Sequence, residues 1–290
     1  MENIAKKFGD HDVLRGINLE LSNGVFGLLG PNGAGKTTFI RLLIGLMKPD
    51  QGKILIDHQD SQNAHYRANI LSKLGYLPQT FDVLPRVTSI EYLTFLSRLY
   101  QGSIKLNHNR IRELLESVNL WQHRRIPLAK YSGGMKRRFG IAQALLNDPP
   151  FLIVDEPTAG LDPEERVTFR NILSDLPYDR LVLLSTHIVE DIEIACNRLI
   201  ILEQGKIGFD STPSDLFTRM MPFIWEKRIP ISMADIYFHN EQVISMNIAE
   251  DEYAVRIAAV EKPPEFEATQ PTFEDVYICW LHRAKLGLKT

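Results

Sequence analysis

Residues Gly30-Pro-Asn-Gly-Ala-Gly-Lys36-Thr37 fit the spacing GxxxxGK[ST], a pattern suited to holding phosphate. Gly30, Gly33 and Gly35 let the backbone wrap an anion, while Pro31, Asn32 and Ala34 complete the turn. The N–H groups then point inward, and the helix opened by Lys36, Thr37 and Thr38 adds its positive end. Lys36 neutralises the β- and γ-phosphates of a nucleoside triphosphate, and the Thr37 hydroxyl is offered to Mg²⁺. A second element, Phe151-Leu-Ile-Val-Asp155-Glu156, delivers two adjacent carboxylates at the end of an apolar strand, where ligands bind in open parallel sheets. Asp155 is placed to hold Mg²⁺ through water, and Glu156 to orient and deprotonate an attacking water. Alone, the first string could be an ordinary glycine turn and the second a solvated charge pair. Together and in this order they describe a phosphate-loop nucleotide site of a kind GTPases and small-molecule kinases also carry, so these two elements decide only the superfamily.

The stretch "YSGGMKRR", Tyr131 to Arg138, raises a separate question. A helix N-terminus attracts anions and repels cations, yet Lys136, Arg137 and Arg138 follow closely after Ser132, Gly133 and Gly134. The basic trio can be a solvated face, or it can lie near negative charge brought from elsewhere.

The elements that must position these groups follow from periodicity. Val13 to Leu21 alternates as a half-buried strand, Val25 to Leu29 is an apolar strand entering the glycine loop, and Thr37 to Met47 has helical spacing. Lys53 to Asp57 and Lys73 to Pro78 read as further strands. Helical periodicity covers Ser89 to Tyr100, Arg110 to Leu120 and Gly134 to Leu146, a helical insert within about 80–147. Phe151 to Val154 and Leu181 to Ser185 have the apolar character of buried parallel strands, with a crossover helix over Glu164 to Leu176 between them. A hairpin is expected at Arg198 to Glu203 and Lys206 to Asp210, then a helix at Ser214 to Met220. Beyond Pro222 come short alternating segments, Phe223 to Arg228, Gln242 to Asn247 and Glu252 to Val260, then a proline-rich stretch and a last helix.

The expected fold class is α/β: a P-loop NTPase core with a mainly parallel sheet, an antiparallel β subdomain, a helical insert and a small C-terminal α+β appendage. The expected domains are 1–221 and 222–290.

The chain has 290 residues and ordinary globular composition. With 33 Lys+Arg against 36 Asp+Glu the net charge is −3 and there is no long basic block, so nothing indicates a nucleic-acid partner. Cys196 and Cys279 lack metal or redox spacing, which favours core positions in a reducing compartment. No apolar run reaches the roughly 18 to 20 residues of a membrane span. The chain is expected to be cytoplasmic, with any membrane role exercised through a partner.

The ordered set that includes Gln79 in "YLPQ", "YSGGM", "AGLD" ending at Asp162 and "STH" ending at His187 resembles the ATP-binding-cassette (ABC) family, specifically its transporter ATPase subunits. The resemblance covers about Ile4 to Phe217. It implies that Gln79 reaches Mg²⁺ and the attacking water, that His187 contacts the γ-phosphate, and that Asp162 bridges two subunits. It implies that Ser132, Gly133 and Gly134 complete the nucleotide site of an opposite subunit, so each ATP is held between two copies or between paired ATPase subunits. The anion expected at that helix N-terminus then arrives from another chain. Phe8 lies where the family places an aromatic ring on adenine, with the core as the alternative reading. Tyr131 and Met135 depart from the usual signature without touching its phosphate contacts. The chain begins close to Phe8, so the family's first strand is expected to be short or missing.

The implied cofactors are ATP and Mg²⁺. The implied function is to drive a separately encoded transmembrane permease from the inner face of the membrane. A weaker resemblance of the tail, with "PTFEDVY", to export-type ATPases leans toward export, with regulation or dimer support equally compatible. The rival from another class is a soluble ABC ATPase acting on ribosomes or DNA. Such proteins usually carry two cassettes or a long coiled-coil insert.

Overall fold

The computed structural model describes residues 1–80, 84–99, 108–176, 179–238, 240, 242–249 and 251–288, with 66, 108 and 238 described by backbone alone. The chain runs β1 (Glu2–Phe8), β2 (His11–Ile17), β3 (Gly24–Leu29), α1 (Lys36–Leu43), β4 (Gln51–Lys53), β5 (Leu55–Ile56), β6 (Gln59–Asp60) and α2 (Ala64–Ser72). It continues with β7 (Leu74–Leu77), α3 (Ser89–Leu99), α4 (His108–Ser117), α5 (Gly133–Ala144), β8 (Phe151–Asp155), α6 (Pro163–Ser174), β9 (Leu181–Ser185) and α7 (Val189–Ala195). Then follow β10 (Arg198–Glu203), β11 (Lys206–Ser211), α8 (Pro213–Met220), β12 (Ile224–Pro230), α9 (Asp235–Phe238), β13 (Val243–Ala249), β14 (Glu252–Ala258), β15 (Glu267–Ala268) and α10 (Phe273–His282).

The central sheet has the order β11-β10-β3-β9-β8-β7. Its β10, β3, β9, β8 and β7 run parallel. β8 and β9 consist almost wholly of buried residues, as a strand covered on both faces requires. Parallel order brings the C-terminal ends of β3, β7, β8 and β9 to one edge, and the loops carrying Gly30, Gln79, Glu156 and His187 leave from that edge. Gln204 and Gly205 join β10 to β11 with φ of 46° and 78°, the backbone of a tight hairpin turn.

A second sheet, β2-β1-β4, packs Ile4, Leu14 and Ile17 against Phe39 and Ile40 of α1. The first strand is therefore present, seven residues long and central in its sheet, which corrects the expectation that it is short or missing. Only Ile4 of β1 is fully buried, and its ladder to β2 is broken by two register shifts, so it shows no simple alternation. Among the described residues the structure adds three α-helices not expected from periodicity, α2, α7 and the short α9. The expected helix end at Tyr100 lies outside the described residues, as do 81–83 and 101–107 of the helical insert.

Chain contacts divide the molecule into Met1–Asp210 and Ser211–Thr290. Within the second unit, α8 packs on α10, which groups α8 with the appendage, whereas composition put the division at 221/222. Its sheet, β13-β14-β12-β15, is antiparallel and buries Ile229, Val255, Ile257 and Phe266. Cys196 and Cys279 are both buried free thiols, and desolvation raises the pKa of each, to about 11 for Cys279.

Candidate functional site

The glycine loop follows β3 directly. A side chain at Gly30 would come within 2.2 Å of the Leu202 carbonyl oxygen, so close strand packing requires glycine there. Gly33 and Gly35 need it for conformation, with φ of 81° and 106°. Gly35 is the N-cap of α1 and supplies no side-chain cap, which leaves the first-turn N–H groups to an outside acceptor. Lys36, 8% exposed, folds back over the loop, with Nζ donating to the carbonyls of Gly30 and Pro31. Burial lowers its pKa, and the carboxylates of Glu156 and Asp155 act against that shift. A buried ammonium resting on two carbonyls beside two carboxylates suits a phosphate chain. Thr37 is exposed and Thr38 half-buried at the same helix start.

Asp155 closes β8 and is 5% exposed. Burial pushes its pKa up and neighbouring Glu156 adds to this, while Ser185, Lys36 and Arg41 pull down. A desolvated carboxyl next to a second one suits a divalent cation carried on nucleotide phosphates. Glu156 leaves the strand with φ of 45° while its N–H donates to the Ser185 carbonyl at 2.7 Å. A left-handed non-glycine residue costs roughly 1–2 kcal/mol, so the fold holds this carboxylate out of line with β8. Its Oε2 accepts from Gln79 Nε2 at 3.2 Å and lies 2.9 Å from His187 Nδ1, which donates in the tautomer carrying hydrogen there. Lys36, Gln79, Asp155, Glu156 and His187 thus form one constellation.

Asp191, unnoticed in the sequence, supports it. This α7 carboxylate is 1% exposed, accepts from Thr158 Oγ1 at 2.5 Å and Thr186 Oγ1 at 3.4 Å, and lies 3.8 Å from Arg170. Thr158 follows Glu156 by two residues and Thr186 precedes His187, so one buried acid fastens the loops that carry Glu156 and His187. Its signal was an acid four residues after the histidine, hidden in a stretch that reads as solvated.

The second group lies at two helix starts. Ser132 caps α5, its Oγ accepting from Met135 N at 3.1 Å, which leaves the hydroxyl hydrogen for an outside acceptor. Space beside Gly133 is open. A Cβ on Gly134 would come within 1.7 Å of Glu165 Oε1, so the Glu165 carboxylate rests on the α5 N-terminus. Asp162 caps α6, accepting from Glu165 N at 2.8 Å. Tyr131 is buried with its hydroxyl 3.0 Å from both Ser89 Oγ and the His123 carbonyl, a place for which the usual aliphatic residue has no polar atom. Phe8, at the end of β1, is 46% exposed with Lys6 Nζ 5.8 Å from its ring centre. It is a surface ring, outside the core.

Two of the three basic residues diverge. Arg138 donates to the Val118 carbonyl at 3.3 Å, whereas Arg137 turns inward and donates to the Pro78 carbonyl at 2.9 Å. Burial lowers the Arg137 pKa, opposed by Asp155 and then Glu156.

A family model described as "ABC transporter" matches residues 14–159. The chain is 37% identical over 218 residues to the Nod factor export ATP-binding protein I of Cupriavidus metallidurans, covering 74% of this chain and 71% of that one. It is 36% identical over 221 residues to the linearmycin resistance ATP-binding protein of Bacillus subtilis, covering 76% and 70%. Among solved structures, a dimeric bacterial ABC transporter cassette superposes with a TM-score of 0.65 at 25% identity, covering 73% of this chain and 97% of that one. The same score, identity and coverage apply to a dimeric post-hydrolysis cassette bound to ADP and Pi.

Proposed function

Since the chain belongs to the ABC transporter ATP-binding family and is an ATPase subunit, we propose that two copies close head to tail around two ATP molecules to drive a separate membrane permease. Each ATP would rest on the Gly30–Thr38 loop of one copy and meet Ser132, Gly133 and Gly134 of the other. Mg²⁺ would be held by Thr37, Gln79 and Asp155 and would neutralise charge on the phosphates. Glu156 would take the proton of the attacking water, with His187 and Gln79 fixing the carboxylate. Asp162, at the start of α6, would bridge the copies, and Phe8 would stack on adenine.

One observation carries this reading: the anion-receptive start of α5 belongs to a different cluster from the Lys36–Glu156 constellation, although both suit the same phosphates. A site divided in this way gives a two-state element, closed with triphosphate and open after hydrolysis. The permease and the direction rest on the relatives, two of which are named for Nod factor export and for linearmycin resistance. Export by a permease of similar class is the reading those names support. Among the described residues no helix is long and apolar enough to cross a membrane, so a membrane path would belong to the partner.

Mixing inactive variants tests the split site. Lys36→Ala removes the cradle and Ser132→Arg blocks the donated turn, and each protein alone should show no turnover. In a heterodimer of the two, one site keeps Lys36 from one copy and Ser132 from the other. Random pairing should recover about a quarter of wild-type activity, as the symmetry of a two-site dimer requires. No recovery on mixing, with both variants folded, would refute the division.

A further inference from the structure

We propose that Arg137 is a positioning residue that ties the helix opened by Ser132, Gly133 and Gly134 to the loop carrying Gln79. The half-site a chain gives away and the hydrolytic centre it keeps would then move as one body. This rests on the split-site reading above.

The geometry is a short chain of contacts. Ser132 caps α5, and Arg137 lies five residues further along, near one and a half turns. Its Nη1 donates to the Pro78 carbonyl at 2.9 Å, between the end of β7 and Gln79. Gln79 Nε2 donates to Glu156 Oε2 at 3.2 Å. The far end of α5 is also fixed to β7, since a Cβ on Gly75 would approach the Ala144 carbonyl to 2.4 Å. The helix therefore holds β7 at one end by backbone packing and the strand's outgoing loop by one side chain. A tilt of α5 when its N-terminus meets an anion would be delivered at Pro78, one residue from the group that orients Glu156.

The residue type fits. A half-buried guanidinium can spend one N–H on a carbonyl and keep others toward Asp155 and Glu156, whose charges favour its cationic form. An ammonium has no such planar fork. Of the three consecutive basic residues, Arg138 is committed to Val118, whereas Arg137 is the one with a hydrogen bond to the Gln79 loop.

A double-mutant cycle on steady-state ATP hydrolysis tests the proposal. Arg137→Met should lower kcat about tenfold with KM within about twofold, because the loss is of alignment and not of nucleotide binding. Arg137→Gln, whose amide can still donate to Pro78, should recover most of that loss. In a Gln79→Ala background Arg137→Met should cost less than about twofold, since the residue through which it acts is gone. Wild-type kcat in Arg137→Met, or a full tenfold loss that persists without Gln79, would overturn the proposal. If Arg137→Met fails to fold by circular dichroism, Arg137→Leu, which also removes the donor, enters the same cycle with the same criteria. Glu156→Gln run with ATP on gel filtration separates the two levels. A monomer there refutes the split site itself, whereas a dimer alongside an additive cycle refutes Arg137 alone.

Discussion

Oε2 of Glu156 lies 2.9 Å from His187 Nδ1 and receives the Gln79 amide at 3.2 Å, so one carboxylate oxygen is held by two loops from different strand ends. Glu156→Gln keeps the shape of this arrangement but cannot take a proton. Turnover should fall by about 10²–10⁴, the usual range for removal of a general base. Nucleotide binding should persist, and gel filtration with ATP should shift the variant from monomer to dimer. His187→Ala should lose less in ATP affinity than in kcat, measured by titration calorimetry beside steady-state rates.

Phe8 is exposed, so its removal should leave folding unaffected. If it stacks on adenine, Phe8→Ala should weaken ATP binding by about 1 kcal/mol, roughly fivefold. Stacking accepts any base, and GTP should therefore suffer the same loss. An unchanged dissociation constant for both nucleotides would return Phe8 to the status of a plain surface ring.

Gly134 and Glu165 make a sharper case. A methyl group at 134 would stand 1.7 Å from Glu165 Oε1, yet that oxygen belongs to a side chain that can swing away. Gly134→Ala should fold, with a stability loss of about 1 kcal/mol or less, while the added methyl group obstructs the phosphate approach. Hydrolysis should fall sharply, and adding Glu165→Ala should restore melting temperature without restoring turnover. Recovery of turnover in the double variant would show that the carboxylate, not the methyl group, was the obstacle.

What could be read from residues alone follows the range of the forces involved. The phosphate loop and the Asp155–Glu156 strand end are contiguous, and their chemistry is local, so spacing suffices. The grouping of Gln79 and His187 with Glu156 was available only through the order of family-like motifs, because it depends on β7, β8 and β9 lying side by side. The central strands β8 and β9 stood out as apolar runs, whereas β1, with a single buried apolar residue and a bulged ladder, did not. Asp191 and Arg137 were hidden for a common reason. Charged side chains read as solvent-facing unless a buried partner is known, and Thr158 and the Pro78 carbonyl are distant in sequence from the residues they meet. In the appendage, alternation located β12, β13 and β14 to within two residues at each end, but carried no hint of the polar network beneath them.

That network centres on Asp275, 3% exposed at the start of α10. It accepts from Ser245 Oγ at 2.7 Å, from Thr272 N and Oγ1 at 2.8 Å each, and from Arg256, which also pairs with Glu226. Burial alone pushes its pKa up, but the Ser245, Thr272 and Arg256 contacts together outweigh burial and hold it below the ordinary carboxylate value. A carboxyl depressed in the folded state stabilises above its unfolded value of about 3.9 and loses that contribution as pH falls through the folded value. Thermal melts of the full chain should therefore show the Ser211–Thr290 unit weakening below about pH 4. Asp275→Asn leaves the half-buried Arg256 with Glu226 alone and weakens the reciprocal cap with Thr272, so it should cost about 2 kcal/mol at neutral pH. The variant should also lose part of the acid sensitivity. An unchanged melting temperature at pH 7, or an acid transition as steep as the wild type's, would place the stability of this unit in its apolar core instead.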